Sequence, residues 1–218
     1  QIIRAQEGDV AAMVATGDLY YYGARGLPRD QPLALQYFQQ AAEANDVTGL
    51  CGAANMLAKG EGIYNNVKNI SGAMIYFQRA ADQGSSAAMN GLGCIYFHGV
   101  PDAGIDANLS KAFDYFLVAA ENYSDSADSF FNAGHMLQNG LGVDVNEEKA
   151  ALFYQFAAEN FGHFDSILRL GIMYNQGVGL SRNVRLGAQY LSVASGIGPW
   201  VGWLRRGLDQ YLASKNLM

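Results

Sequence analysis

Proline is scarce in this sequence, at four residues in 218, while glycine is abundant at 26. A collagen-like or disordered glycine-rich chain carries far more proline, so these glycines must serve an ordered purpose. Charge is sparse too. Asp, Glu, Lys and Arg make up 16% of the chain, below the roughly 25% of an average domain, and half of the residues are hydrophobic, which excludes a disordered chain. Fourteen basic against twenty acidic residues leave a net charge of −6. With no Lys/Arg cluster, the chain lacks the basic footprint that nucleic-acid phosphates require. No apolar run reaches the length of about 18 residues that spans a membrane, and the Gln1 start shows no basic region followed by an apolar stretch. The length suffices for a sizeable core in one large domain or two small ones.

What is present is periodic. Small pairs at Ala41-Ala42, Ala80-Ala81, Ala119-Ala120, Ala157-Ala158 and Ala194-Ser195 recur every 37 to 39 residues. Bulky pairs stand four residues ahead of each: Tyr37-Phe38, Tyr76-Phe77, Tyr115-Phe116, Phe153-Tyr154 and Tyr190-Leu191. An upstream series runs Thr16-Gly17, Ala53-Ala54, Leu92-Gly93, Ala133-Gly134 and Leu170-Gly171. Glycine pairs follow it in four units, at Gly23/Gly26, Gly60/Gly62, Gly140/Gly142 and Gly177/Gly179, whereas the third unit has Gly99 and Gly104 and an altered turn. A period of this length marks a repeat architecture.

Each unit reads as a helical hairpin. Marks such as Ala88, Leu92 and Ile95-Tyr96 fall at helical spacing on the first helix. The glycine after it suits a left-handed C-cap. Asp30, Asn146 and Asn183 are candidate N-caps of second helices. The small pair lets helices approach while the aromatics fill the space beside them. One hairpin cannot bury its apolar face alone, so stacking must supply the core. The expected fold class is therefore all-α, an α-α superhelix or solenoid of about five hairpin repeats over residues 1–198, followed by a non-repeat C-terminal helix over 199–218 that packs on the last repeat.

The unit is longer than the 34 residues of a tetratricopeptide repeat, and the extra residues lie in the Gly-x-Gly turn. The marks Ala133-Gly134, Gly140-Leu141-Gly142-Val143, Lys149-Ala150 and Ala157-Ala158 resemble the Sel-one-like repeat family from about residue 9 to 198. That resemblance implies a right-handed superhelix used for protein–protein scaffolding. Arg4-Ala5-Gln6-Glu7-Gly8 lines up with Ala80-Ala81-Asp82-Gln83-Gly84, so the start is expected to be the tail of an earlier second helix and the chain a slice of a longer array.

Two segments resemble a narrower family. Tyr20-Tyr21-Tyr22-Gly23-Ala24-Arg25-Gly26-Leu27-Pro28-Arg29-Asp30, and Gly198-Pro199-Trp200 followed by a helix ending in Tyr211-Leu212, are similar to the plant-type members of the luminal adaptor family of the Hrd-type ubiquitin ligase, called SEL-one-L in animals and Hrd-three in yeast and plants. Ala53-Ala54 in place of Leu-Gly departs from the repeat pattern. The resemblance implies a non-catalytic scaffold in the endoplasmic reticulum lumen, part of a longer membrane-anchored protein. It would hold misfolded glycoproteins and a lectin-type substrate receptor next to luminal segments of a membrane ubiquitin ligase. A homodimer is a weaker expectation, because animal relatives self-associate through repeats near this point and the next hairpin is missing here. The alternative is another Sel-one-like scaffold, such as a cytosolic or bacterial regulator.

Three glycosylation acceptors accompany this reading, at Asn69-Ile70-Ser71, Asn108-Leu109-Ser110 and Asn122-Tyr123-Ser124. Acceptors belong on exposed loops of secretory proteins, and Asn69 and Asn108 fall in the turns of the second and third units. Trp200, Trp203 and Tyr211 form a candidate partner surface on the C-terminal helix, with Trp200 also suited to plug the core. Asn90, His135, Gln138 and Asn175, with Tyr21 and Tyr22, are candidates for a binding face.

Nothing calls for catalysis, a metal or a cofactor. Cys51 and Cys94 sit at different registers of their first helices, which reads as two small buried hydrophobes rather than a disulfide. His98, His135 and His163 lie in different units, away from the clustering that a metal site needs, and read as turn or surface residues. Gly-x-Ser-x-Gly, Walker and His-Glu-x-x-His patterns are absent. Gly91-Leu92-Gly93 is explained by its repeat position, and Asp102, Asp106, Asp125 and Asp128 read as a solvated face.

Overall fold

A computed structural model describes residues 1–24, 26–121 and 126–197. The chain divides into two compact units, Gln1–Ser124 and Asp125–Met218. The first unit holds a short helix, α1 (Ile2–Gln6), and three hairpins. These are α2 (Val10–Tyr22) with α3 (Gln31–Glu43), α4 (Val47–Lys59) with α5 (Ile70–Ala81), and α6 (Ser86–His98) with α7 (Leu109–Glu121). The second unit holds α8 (Ala127–Asn139) with α9 (Glu147–Phe161), and α10 (Phe164–Gln176) with α11 (Val184–Ile197). Among the described residues the only β pairing is the isolated bridge Val100–Ile105. The all-α array of helical hairpins expected from the periodicity is what forms.

Side-chain caps start nearly every helix. Asp30, Asn69, Asn108, Asn146 and Asn183 accept the N–H three residues on, at 2.8–3.0 Å, and so open the second helices. A parallel series opens first helices: Asp9, Asp46, Ser85 and His163 accept from Ala12, Gly49, Ala88 and Ser166. Each cap satisfies a backbone donor that the helix leaves orphaned. The altered turn of the third hairpin also has a cause. Gly99 leaves α6 at φ 65°, ψ 165° rather than in the left-handed helical region, and the Val100–Ile105 bridge then closes over a 3-10 turn at Pro101–Ala103.

The core is built from rings seated on glycines. A Cβ added to Gly17 would lie 2.9 Å from the Phe38 ring, and one added to Gly52 of the next hairpin would lie 2.7 Å from the same ring. Phe116 meets Gly93 in the same way, Tyr154 meets Gly134, and Leu191 meets Gly171. In the second hairpin Ala54 takes the glycine's place, and Phe77 instead abuts Gly91 of α6. The small pairs behave as expected: Ala41, Ala80, Ala119, Ala157 and Ala194 are fully buried. Room for a bulky side chain against the helix backbone is therefore what these glycines supply inside the helices.

Candidate interaction surface

Wherever a unit has tyrosine at both the first-helix and second-helix marks, the two rings stack. Tyr20–Tyr37, Tyr96–Tyr115 and Tyr174–Tyr190 lie within 9° of parallel with centroids 5.7–6.1 Å apart. Lys111 closes the second of these, with its Nζ 4.1 Å from the Tyr96 ring and donating to the Tyr96 hydroxyl at 2.8 Å. That hydroxyl raises the pKa of the ammonium. Lys111 is thus tied back onto its own hairpin.

Two grooves sit beside these stacks in the first unit. One, of about 470 Å³, lies between α1 and α3 and is lined by Ala5, Gln6, Met13, Leu33, Tyr37 and Gln40. The other, of about 390 Å³, lies between α5 and α7 and is lined by Ala81, Asp82, Met89, Asp114, Tyr115 and Val118. They are the same place in different repeats: Ala5, Met13, Tyr37 and Gln40 hold the repeat positions of Ala81, Met89, Tyr115 and Val118. Between them, against α3 and α5, the equivalent place is crossed by Arg79. Its guanidinium donates to the Ala42 carbonyl at 2.9 Å and to Asn45 Oδ1 at 3.0 Å.

The two acceptor asparagines that fall on described residues, Asn69 and Asn108, are both exposed. Each uses its Oδ1 as a helix cap, accepting from the Gly72 and Lys111 N–H groups at 2.9 Å. The Nδ2 atom that a glycan would occupy is the one the cap does not use. Asn122, Asp125, Arg25, Trp200, Trp203, Tyr211 and the whole of 199–218 lie outside the described residues.

The remaining candidates divide. Tyr22 is exposed at 73%, but Tyr21 is half-buried and donates to Glu61 at 2.9 Å, which ties the first hairpin to the second. Gln138 does not offer a free face: its Oε1 accepts the Tyr154 hydroxyl at 3.0 Å. Asn175 is buried, and its Oδ1 has no hydrogen-bond partner. Both are pulled inward because their positions face the second helix of their own hairpin. Asn90 is half-buried and engaged.

His163 is not a surface residue. With its side chain 15% exposed, it caps α10 through Nδ1 and points Nε2 at Asp128 Oδ1, 3.3 Å away. That contact lowers the Asp128 carboxyl below its ordinary value. His135 is half-buried beside Phe131, and burial lowers its pKa. Cys51 and Cys94 are free and half-buried rather than fully buried. The Cys51 thiol lies 3.4 Å from Ser85 Oγ, and burial raises its pKa. Among the described residues no cluster of His, Cys, Asp and Glu is placed to hold a metal ion, and no helix is long and apolar enough to cross a membrane.

Comparison with known proteins agrees with the hairpin boundaries. The Sel1 repeat family model matches residues 10–46, 50–85, 86–124, 128–160 and 165–195, one match per hairpin. Over 96 residues the chain is 34% identical to the ERAD-associated E3 ubiquitin-protein ligase component HRD3B of Arabidopsis thaliana, covering 44% of this chain and 14% of that protein. Over 173 residues it is 27% identical to an exopolysaccharide production negative regulator of Rhizobium meliloti, covering 75% of this chain and 61% of that one. The chain thus spans less than two thirds of either relative. The crystal structure of a protective antigen of uropathogenic Escherichia coli superposes with a TM-score of 0.77 at 26% identity, covering 96% of this chain and 43% of that one. The chain belongs to the Sel1 repeat family, whose stacked hairpins serve as scaffolds for protein–protein contacts.

Proposed function

We propose that this array is a non-catalytic segment of a luminal adaptor in endoplasmic-reticulum-associated degradation. In this reading it holds misfolded glycoproteins and a lectin-type receptor beside the luminal segments of a membrane ubiquitin ligase. The observation that carries the reading is the 34% identity to the Arabidopsis ligase component over 96 residues. The exposed acceptors Asn69 and Asn108, each with Nδ2 outside its cap bond, support a luminal location. The experiment is expression of the full-length protein in its own host, followed by endoglycosidase treatment and pull-down with the ligase's luminal loops. A mobility shift that disappears in a Ser71→Ala/Ser110→Ala/Ser124→Ala variant, together with capture of the loops, is the expected result. Failure of the full-length protein to bind the loops would sink the adaptor role.

A second reading rests on the longer match to the Rhizobium regulator, which covers 75% of this chain. There the array is a regulatory scaffold outside the secretory pathway, and no glycan-dependent shift is expected.

A further inference from the structure

The α5/α7 groove is matched, one repeat earlier, by a place that this chain fills with its own arginine. Arg79 of α5 reaches across to the end of α3, where the Ala42 carbonyl already accepts the Asn45 N–H at 3.0 Å, and adds a second bond at 2.9 Å. Carbonyls at a helix C-terminus lack partners within the helix, and a cation there meets the negative end of the helix dipole. One repeat on, Ala81 holds the position of Ala42, and its carbonyl accepts the Gly84 N–H at 2.8 Å. The position of Arg79 is taken by Val118, which is 44% exposed and has no donor to offer that carbonyl. In place of an arginine there is the open groove, with Met89 and Tyr115 along it and two exposed carboxylates, Asp82 and Asp114, at its edge. Lys111 also lines the groove, but its ammonium is held on Tyr96.

We infer that the α5/α7 groove is a docking site for an arginine side chain presented by a partner protein, flanked by apolar residues that contact Met89, Tyr115 and Val118. The guanidinium would take the place of Arg79 in this repeat, donating to the Ala81 carbonyl and facing Asp82 and Asp114. A planar fork of five donors can serve a carbonyl and a carboxylate together, which a lysine ammonium, compact and strongly hydrated, does less well. The acidic edge excludes phosphate-bearing partners. The α1/α3 groove does not qualify, because Gln6 and Gln36 stand where Asp82 and Asp114 do. In the α9/α11 hairpins the Gln155–Glu159 bond repeats that of Gln78–Asp82, but Gln189 stands where Asp114 does and the second carboxylate is lost. The inference is independent of the endoplasmic-reticulum reading and holds for any partner of this chemistry.

The test is titration of the ¹⁵N-labelled 218-residue chain with the peptide N-acetyl-Leu-Arg-Leu-amide, and with its citrulline and lysine counterparts. Saturable amide shifts are expected at Asp82, Gly84 and Val118. The citrulline peptide should bind about tenfold more weakly, the worth of one hydrogen bond to a charged group. Val118→Arg should fill the groove from within and abolish those shifts while leaving the remaining spectrum folded. Equal binding of arginine and citrulline peptides, shifts confined to other residues, no saturable shift at millimolar peptide, or a folded Val118→Arg protein that binds like the parent would each overturn the proposal.

Discussion

The ring of Phe116 rests directly on the α-carbon of Gly93: a Cβ built on that glycine would lie 2.6 Å from the ring's Cε1, inside any real contact. Phe116 is buried and cannot swing away. Gly93→Ala therefore has to push the second helix off the first. Overpacking of this kind costs about 1–3 kcal/mol, set against a gain of about 1 kcal/mol from alanine's better helix propensity. The expected outcome is net destabilisation in urea unfolding. Gly196 lies in α11 with nothing within 4 Å of a built Cβ, so Gly196→Ala should change stability in the opposite direction. The same sign for both variants would refute the ring-on-glycine account.

Thr16 sits at the first-helix mark of the first repeat, fully buried, and its Oγ1 has no hydrogen-bond partner. An unpaired buried hydroxyl costs about 1–3 kcal/mol, and valine has nearly the same shape and helix propensity. Thr16→Val should raise the unfolding free energy by about 1 kcal/mol. A loss of stability would mean that the hydroxyl has a partner after all, such as an ordered water.

Asn69 and Asn108 are helix caps as well as the asparagines of N-x-S sequons. In protein made without glycans, Asn108→Ala should cost about 1 kcal/mol, the usual worth of such a cap. Asn108→Asp keeps the acceptor oxygen and should cost far less. Thermal unfolding of the two variants checks this, and equal losses would show that the cap bond to the Lys111 N–H contributes little. Sequons are accordingly better removed at Ser71 and Ser110 than at the asparagines.

Burial, and secondarily the nearby Arg169, hold His135 below its ordinary pKa. Between that lowered value and the unfolded value of about 6.5, the unfolded chain binds a proton that the folded chain refuses. Stability attributable to His135 is therefore full above about pH 6.5 and declines as pH falls toward the lowered folded value. His135→Gln should flatten the fall in melting temperature between about pH 7 and 5. Parallel slopes for the two proteins would rule His135 out as the source.

The hairpin period, the second-helix caps at Asp30, Asn146 and Asn183, and the altered turn at Gly99 are legible in the sequence because they recur, or fail to recur, at fixed positions. The first-helix caps at Asp46, Ser85 and His163 are chemically unlike one another, so no single letter announces them, although all accept from the N–H three residues on. Gln138 and Asn175 read as a polar face, yet a polar residue in a helix says nothing about which way it turns. Tyr154 supplies Gln138 with a buried donor, and Gly187 leaves room for Asn175. The grooves are harder still to foresee. Their character depends on the position occupied in turn by Gln40, Arg79 and Val118, and a search for shared letters discards such a position as variable.

The seating of Phe38 between Gly17 and Gly52 has a practical consequence for dissecting this protein. The ring belongs to one hairpin by sequence, but half of its socket is made by the first helix of the next. Trimming the chain at a hairpin boundary would leave that side of the ring in water. A cut made after a first helix, at about Lys59 or His98, would keep both walls, so the smallest piece able to stand alone should be a whole number of hairpins plus one helix.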